Sequence, residues 1–110
     1  MSDIVLVLTT APDDDSTETL ARTLVEEKLA ACVSLLPAMT SIYRWQGSIE
    51  QSVERQLIIK TTRSALAALQ TRFIELHSYE LPEFIVLDVH SGSSDYLAWI
   101  AHEASGAHRQ

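Results

Sequence analysis

The stretch ACVSLLPAMTSIYRW, residues 31–45, decides the architecture, because it is an extended run that is long for a small domain. Extended at about 3.3 Å per residue, it spans roughly 50 Å, whereas a domain of this size has a radius of gyration of about 13 Å. Pro37 cannot donate to a strand ladder, so it predicts a bend. Beyond it, Ile42, Tyr43 and Trp45 are predicted to stand on a projecting arm, which favours a contact between subunits. A hairpin folded back on its own domain is the alternative.

Patterns on either side of this run predict the other elements. The continuous apolar run IVLVL at residues 4–8 is typical of a strand that is buried on both faces. Helical spacing follows, from a cap at Asp15 to about residue 30. The pair Gln46-Gly47 predicts a turn into a second extended run. The later elements are that run over about 53–61, a helix over 63–76, a buried strand over 84–89 and a short helix capped by Ser94.

The resulting order is β-α-β-β-α-β plus a terminal helix. This order predicts an α+β, ferredoxin-like fold with an extended middle hairpin and a C-terminal helix. Two helices are expected to cover one face of an antiparallel sheet. Residues 1–110 are predicted to form a single domain, because a chain this short supports only one hydrophobic core.

The chain is acidic, with a formal net charge of −7 and 46% hydrophobic residues. Such a composition predicts a packed globule. The charge repels phosphates and anionic lipids, so neither nucleic acid nor a membrane is expected as a partner. The partners that this charge favours are cations, neutral molecules or a second copy of the chain. Because Cys32 is the one cysteine and the N-terminal stretch lacks the basic residues of a signal peptide, the cytoplasm is expected.

The segment HSYELPEF, residues 77–84, carries more polar chemistry than a connection between a helix and a strand requires. His77 is explained by the helix dipole, and Pro82 by a clean start to the next strand. Tyr79 and Glu83 exceed these needs, and Glu83 directly precedes an apolar run. The segment is therefore predicted to be one wall of a polar cleft, with His77, Tyr79 and Glu83 facing into it. A helix end with a proline-set turn is the alternative.

Glu54 and Lys60 are predicted to face this wall, because they are an even number of residues apart on one extended run. A lysine that simply extends to solvent is the alternative. Cys32 is expected to be a small buried hydrophobic residue, with a soft-metal ligand or a redox thiol as the functional alternatives. The acidic run Asp13–Asp15 is explained by a helix N-terminus. The sequence contains no HExxH, GxSxG or glycine-rich phosphate motif, so no enzyme is predicted.

Several motifs in a fixed order resemble one family over about residues 4–101. They are TAPD (10–13), EEKLAACVSLLP (26–37), SIYRWQG (41–47), IKT (59–61), HSYELPE (77–83) and DYLAWI (95–100). Together they closely resemble the CutA family, the divalent-cation tolerance proteins. The resemblance implies a cytoplasmic homotrimer of ferredoxin-like subunits, similar in architecture to the PII signalling proteins.

The resemblance also implies a ligand site. No cofactor is required, and the implied ligand is Cu²⁺ or another divalent cation. Because imidazole suits Cu(II) better than carboxylate oxygen does, His77 is the predicted metal ligand. The implied ligand-binding cleft consists of Cys32, Tyr43, Trp45, Glu54, Lys60, Tyr79, Pro82 and Glu83.

Two departures from the family pattern predict that metal binding is weak or incidental. Some copper-binding members have a cysteine directly before the TAPD-like motif and a second histidine before the HxYxxPE histidine. This chain has Thr9 and Leu76 at those places. Two further functions stay open: a PII-like sensor that binds a small metabolite in the cleft between subunits, and a trimeric assembly or anchoring protein.

Overall fold

The computed structural model describes residues 2–106 and has the predicted α+β order. The elements are β1 (Ile4–Pro12), α1 (Asp15–Glu26), β2 (Cys32–Trp45), β3 (Ser48–Thr62), a 3₁₀ turn (Arg63–Ala65), α2 (Leu66–Leu76), β4 (Ile85–Asp88) and α3 (Ser94–Glu103). This order confirms the ferredoxin-like prediction, including the extended middle hairpin and the C-terminal helix. Within residues 2–106, no helix has both the length and the apolar character needed to cross a membrane.

The four strands form one antiparallel sheet in the order β2-β3-β1-β4. The whole of β1 pairs with the last part of β3, from Pro12 opposite Glu54 to Ile4 opposite Thr62, without a shift in register. Because this part of β3 is regular, Glu54 and Lys60 lie on the same face of the sheet, as predicted.

The core lies between α1, α2 and one face of the sheet. Odd-numbered residues of β1 and β3 point to this face, and Val7, Leu57 and Ile59 are fully buried there. Leu24 of α1 and Phe73 of α2 complete the cluster. The opposite face is the open face, of which α3 covers one end in a second cluster of Ile4, Ala31, Ile100 and Ala104. Two helices therefore cover one face, as predicted.

The β2–β3 hairpin bends and projects beyond the sheet. The register shifts between Leu35 and Ala38, so β2 has one residue more than β3 at this bulge, and Pro37 lies inside it. Arg55 Nε donates a hydrogen bond to the Leu36 carbonyl at 2.8 Å, which satisfies a carbonyl group of the bulge. Residues 48–53 of β3 extend past the end of β1 and pair only with β2. This part of the hairpin, residues 40–53, is the arm.

Ile42, Tyr43 and Trp45 all stand on the arm, as predicted, but the two faces of the arm differ. Ile42, Ile49 and Val53 share one face and are 68%, 63% and 59% exposed. Tyr43 and Trp45 point to the other face, the side of Glu54. Successive side chains of a strand point to opposite faces, which separates Ile42 from Tyr43 and Trp45. One face of the arm is therefore aliphatic, and the other face carries the aromatic residues that line the groove described below.

Three predicted boundaries also change. Asp14, not Asp15, caps α1: its carboxylate accepts a hydrogen bond from the Ser16 N–H at 2.9 Å, and the Ser16 hydroxyl holds the pKa of Asp14 below its usual value. Helix α1 ends at Glu26 and not near residue 30, and Lys28 follows with a φ of 61°. Ser93, not Ser94, caps α3 through the Tyr96 N–H.

The strand predicted over 84–89 as buried is shorter and exposed. It covers Ile85–Asp88, and all four residues are exposed in the single chain. The sheet order explains this, because β4 is an edge strand whose only neighbour in the described sheet is β1. An apolar run in sequence shows that a strand needs cover, but it does not show whether the cover comes from the same chain.

We expect Phe73→Ala to lower the free energy of unfolding by about 3–5 kcal/mol, because it opens a cavity at a fully buried position. Ile74→Ala is the matched control on the same helix. Ile74 is 56% exposed, so its truncation should change the free energy by only about 0.5 kcal/mol. Denaturant unfolding followed by circular dichroism measures both, and similar losses would contradict this core assignment.

Candidate functional site

An open groove of about 780 Å³ lies on the open face of the sheet, at the base of the arm. Even-numbered residues of β3, including Glu54 and Gln56, form its floor. The arm supplies one wall and residues 79–85 supply the other. Six residues of the predicted cleft line this groove: Tyr43, Trp45, Glu54, Tyr79, Pro82 and Glu83. Residues 79–85 after α2 therefore form one wall of this groove.

His77 was predicted to face the cleft, but it lies behind this wall and fastens it to β1. Its Nε2 is 2.7 Å from the Thr10 carbonyl oxygen, and its Nδ1 is 3.0 Å from the Tyr79 backbone nitrogen. Because a carbonyl only accepts and an N–H only donates, Nε2 carries the proton and Nδ1 accepts. The ring also packs edge-on against Phe73 and Tyr79, at centroid distances of 4.8 and 4.6 Å. Both nitrogens of His77 are thus engaged by the backbone.

Tyr79 and Glu54 join the wall to the floor. The Tyr79 hydroxyl donates a hydrogen bond of 2.9 Å to Glu54 Oε1. Burial, and then the bond to Glu54, raise the pKa of Tyr79 well above its usual value, because ionisation would place two negative charges side by side. Glu54 itself is only 7% exposed. The side-chain hydrogen bond to this nearly buried carboxylate therefore comes from a neutral phenol and not from a cation.

Gln56 is a site residue that the sequence reasoning missed. Its Nε2 donates hydrogen bonds to the Thr9 carbonyl at 2.7 Å and to Glu83 Oε2 at 3.2 Å, so it connects the floor, β1 and the wall. Gln56 follows Glu54 by two residues, and the alternation that paired Glu54 with Lys60 also predicts Gln56 on that face.

Cys32 and Lys60 lie at the other end of the open face and do not line the groove. They are cross-strand partners, and six residues of β3 separate Lys60 from Glu54, or about 20 Å. Lys60 Nζ donates to the Tyr96 hydroxyl at 3.1 Å, and this bond is the main cause that raises the pKa of Lys60. Within one chain the predicted cleft is therefore divided. Whether a neighbouring copy brings the two parts together stays a prediction.

The donor set of one chain does not fit a closed metal centre. Among residues 2–106, no three histidine, cysteine, aspartate or glutamate side chains are grouped so that they could hold one ion. His77 would have to give up one of its two backbone hydrogen bonds to coordinate a metal. The metal role of His77 stays a prediction, and the geometry assigns this residue a structural role beside it.

We expect Tyr79→Phe to lower the free energy of unfolding by about 1–3 kcal/mol at neutral pH, because the buried Glu54 carboxylate loses its donor. A raised folded-state pKa also means that wild-type stability falls as the pH rises above the ordinary tyrosine value of about 10. The variant should lack this part of the alkaline loss.

Denaturant unfolding at pH values on either side of the ordinary tyrosine pKa measures both effects. Tyr43→Phe is the control, because within residues 2–106 the Tyr43 hydroxyl has one hydrogen bond, a long one of 3.4 Å from the Ser52 hydroxyl. An unchanged stability and an unchanged alkaline slope in Tyr79→Phe would show that the bond to Glu54 is unimportant.

Comparison with known proteins places this architecture in one family. The family model of the CutA1 divalent ion tolerance protein matches residues 5–103. The divalent-cation tolerance protein CutA of Pectobacterium atrosepticum is 47% identical over 100 residues, which are 91% of each chain. The crystal structure of CutA from Xylella fastidiosa is 48% identical, with a TM-score of 0.90 over 94% of this chain and 99% of that one.

A second solved structure agrees. The divalent cation tolerance protein from Thermus thermophilus is 43% identical, with a TM-score of 0.85 over 88% of this chain and 94% of that one. Fold, motif order and identity over nearly the whole chain point the same way. The chain belongs to the CutA1 divalent ion tolerance protein family.

Proposed function

We propose that this chain acts in divalent-cation tolerance as a homotrimer and is not an enzyme. Two kinds of observation support the proposal. The names of its relatives refer to divalent-cation tolerance, and the exposed apolar surfaces of the single chain need cover. The described residues that line the groove include no cysteine and no lysine. They also include no histidine that could activate a neighbouring serine as a nucleophile.

The proposal of a homotrimer rests mainly on two exposed apolar surfaces, one at each edge of the sheet. Strand β4 ends the sheet on one side with Ile85, Val86 and Leu87 at 49%, 39% and 42% exposure. The aliphatic face of the arm, with Ile42, Ile49 and Val53, projects on the side of β2. Two different surfaces on opposite sides of one subunit suit a head-to-tail contact, and such contacts form a closed ring when the rotation between neighbouring copies closes.

Divalent-cation binding is proposed to be weak. Copper has an imidazole available at His77, but coordination competes with the bond to the Thr10 carbonyl or with the bond from the Tyr79 N–H. Giving up one such bond costs about 1–3 kcal/mol, which weakens affinity by about 5-fold to 150-fold. Copper specificity and a dedicated carrier role have no support in these contacts.

The groove favours one alternative, a PII-like sensor of a small molecule. Its volume of about 780 Å³ falls within the size range of small-molecule sites. A ligand there would touch both the arm and the wall behind which His77 lies. For the compartment we propose the cytoplasm, supported by the single free thiol of Cys32. Cell fractionation with a tagged chain tests that assignment, and recovery outside the cytoplasmic fraction would refute it.

We expect static light scattering at micromolar concentration to give about three times the chain mass of 12.2 kDa. Ile49→Glu should weaken this assembly by about 30-fold or more, since a hot-spot change at an interface commonly costs about 2 kcal/mol or more. Helical circular dichroism should persist, because Ile49 lies on the arm and outside the core. Gln70→Glu, on an exposed position of α2, is the control with the same added charge.

The proposal of a homotrimer fails if the wild type is a folded monomer at these concentrations. If the wild type and Ile49→Glu form trimers that dissociate equally on dilution, the aliphatic face of the arm is not the contact between subunits.

We expect a calorimetric titration of the wild type with Cu²⁺ at neutral pH to show weak binding that His77→Ala weakens further. His90→Ala is the control, because His90 is an exposed histidine outside the groove. Circular dichroism of His77→Ala verifies that the wall is folded without its backbone bonds. Equal affinity in the wild type and His77→Ala would remove His77 from any metal role, and tight binding in the wild type would refute the weak-binding proposal.

A further inference from the structure

The groove concentrates negative charge without an internal counterion. Three of the residues that line it are glutamates, Glu54, Glu80 and Glu83, and no lysine, arginine or histidine of the described chain lines it. Lys60, the cation expected to face Glu54, contacts Tyr96 at the far end of the sheet face instead. The potential inside the groove is therefore set by carboxylates, and it favours a cationic ligand.

Glu54 shows that this charge is not only a solvated surface feature. Its side chain is more than nine-tenths buried, with 7% exposure. Oε1 accepts the bond from Tyr79, whereas Oε2 accepts no hydrogen bond from any residue of the described chain. Every fully buried side-chain oxygen in residues 2–106 has a hydrogen-bond partner. Oε2 has none, so it is not fully buried and is accessible from the groove that Glu54 lines. Because Oε2 is open to the groove and has no partner among residues 2–106, a donor group of a ligand would bind it directly.

The walls of the groove suit an organic cation better than a hydrated ion. Tyr43 and Trp45 present aromatic rings, which attract ammonium groups through their negative faces. Met39 and Leu81 add apolar surface, and Leu81 is 70% exposed in the single chain. Methylene groups of a ligand would cover these side chains, and a hydrated metal ion would not.

The spacing of the carboxylates also argues against one bare ion. Gln56 Nε2 contacts Glu83 Oε2 at 3.2 Å, which places the Glu83 carboxylate beside Gln56. Gln56 follows Glu54 by two residues on one face of β3, a step of about 6.6 Å. Among residues 2–106, no three such side chains come close enough to share an ion. A ligand that carries two cationic groups has one of these carboxylates available for each.

We propose that the groove binds an aliphatic diamine, with one ammonium group at Glu54 Oε2 and the other near Glu83. The alkyl chain lies against Met39 and the ring of Tyr43. This inference rests on the proposed non-enzymatic role, since it assigns the groove a ligand and no reaction. It specifies the chemical class for the small-molecule alternative described above.

The test is calorimetry of the full chain with 1,4-diaminobutane at about 0.15 M salt, where long-range charge effects are screened. Two ligands of matched length are compared: 1-aminobutane, with one charge, and 1,4-butanediol, with none. We expect the diamine to bind, the monoamine to bind at least about 10-fold more weakly, since one charge-assisted bond is lost, and the diol not to bind.

Glu54→Gln should weaken diamine binding at least about 10-fold, because the amide has lost the charge that meets the ammonium group. Glu26→Gln removes the same charge from an exposed position of α1, and it should leave the affinity unchanged. Glu83→Gln is the second test variant, because its partly exposed side chain makes it less dependent on folding than Glu54.

Absence of diamine binding in the wild type overturns the proposal, as does equal binding of the diol. An equal effect of Glu26→Gln and Glu54→Gln, or full displacement of the diamine by equimolar Mg²⁺, also overturns it, because the binding would then be general attraction to an acidic chain. Light scattering of the same samples separates the two proposals: a trimer that binds no diamine refutes this inference alone, whereas a monomer refutes the proposed assembly.

Discussion

The register between β1 and β3 is the constraint on which the rest of the structure depends. Strand β1 ends at Pro12, opposite Glu54, so everything in β3 before Glu54 has β2 as its only neighbour. The same register buries Leu57 and Ile59 under the helices and leaves Glu54 on the open face, where the sheet becomes narrower. The core, the projecting arm and the floor of the groove are therefore three consequences of one pairing.

His77 sets a second constraint, because it makes structural and metal-binding roles compete for the same ring. Its protonated Nε2 meets the Thr10 carbonyl, and the lone pair of Nδ1 meets the Tyr79 N–H. A metal ion needs a free lone pair, which the tautomer required by these two backbone contacts does not offer. Coordination would loosen the segment that carries Tyr79, and so also the bond to Glu54. Metal binding at His77 would thus be coupled to the shape of the groove.

The sequence predicted well what depends on local pattern and less well what depends on cover from distant elements. Element order, the bend at Pro37 and the shared face of Glu54 and Lys60 follow from periodicity and proline chemistry, and all are present. The exposure of β4 depends on strand order, which local pattern does not contain. The bond from His77 to Thr10 joins residues that are 67 positions apart, so no local signal predicts it. By contrast, the distance between Lys60 and Glu54 could have been predicted from the sequence, because six residues of a strand span about 20 Å.

The bulge at Pro37 explains how one hairpin can both line the groove and present an aliphatic face for contact with another subunit. Before the bulge, even-numbered residues of β2 such as Cys32 lie on the open face; after it, odd-numbered residues such as Tyr43 do. One extra residue thus turns Tyr43 toward the groove and Ile42 away from it. The two faces of the arm belong to one pair of strands, so a neighbouring copy that holds the aliphatic face would also fix Tyr43 opposite Tyr79. In the proposed trimer, assembly and the shape of the groove are therefore mechanically linked.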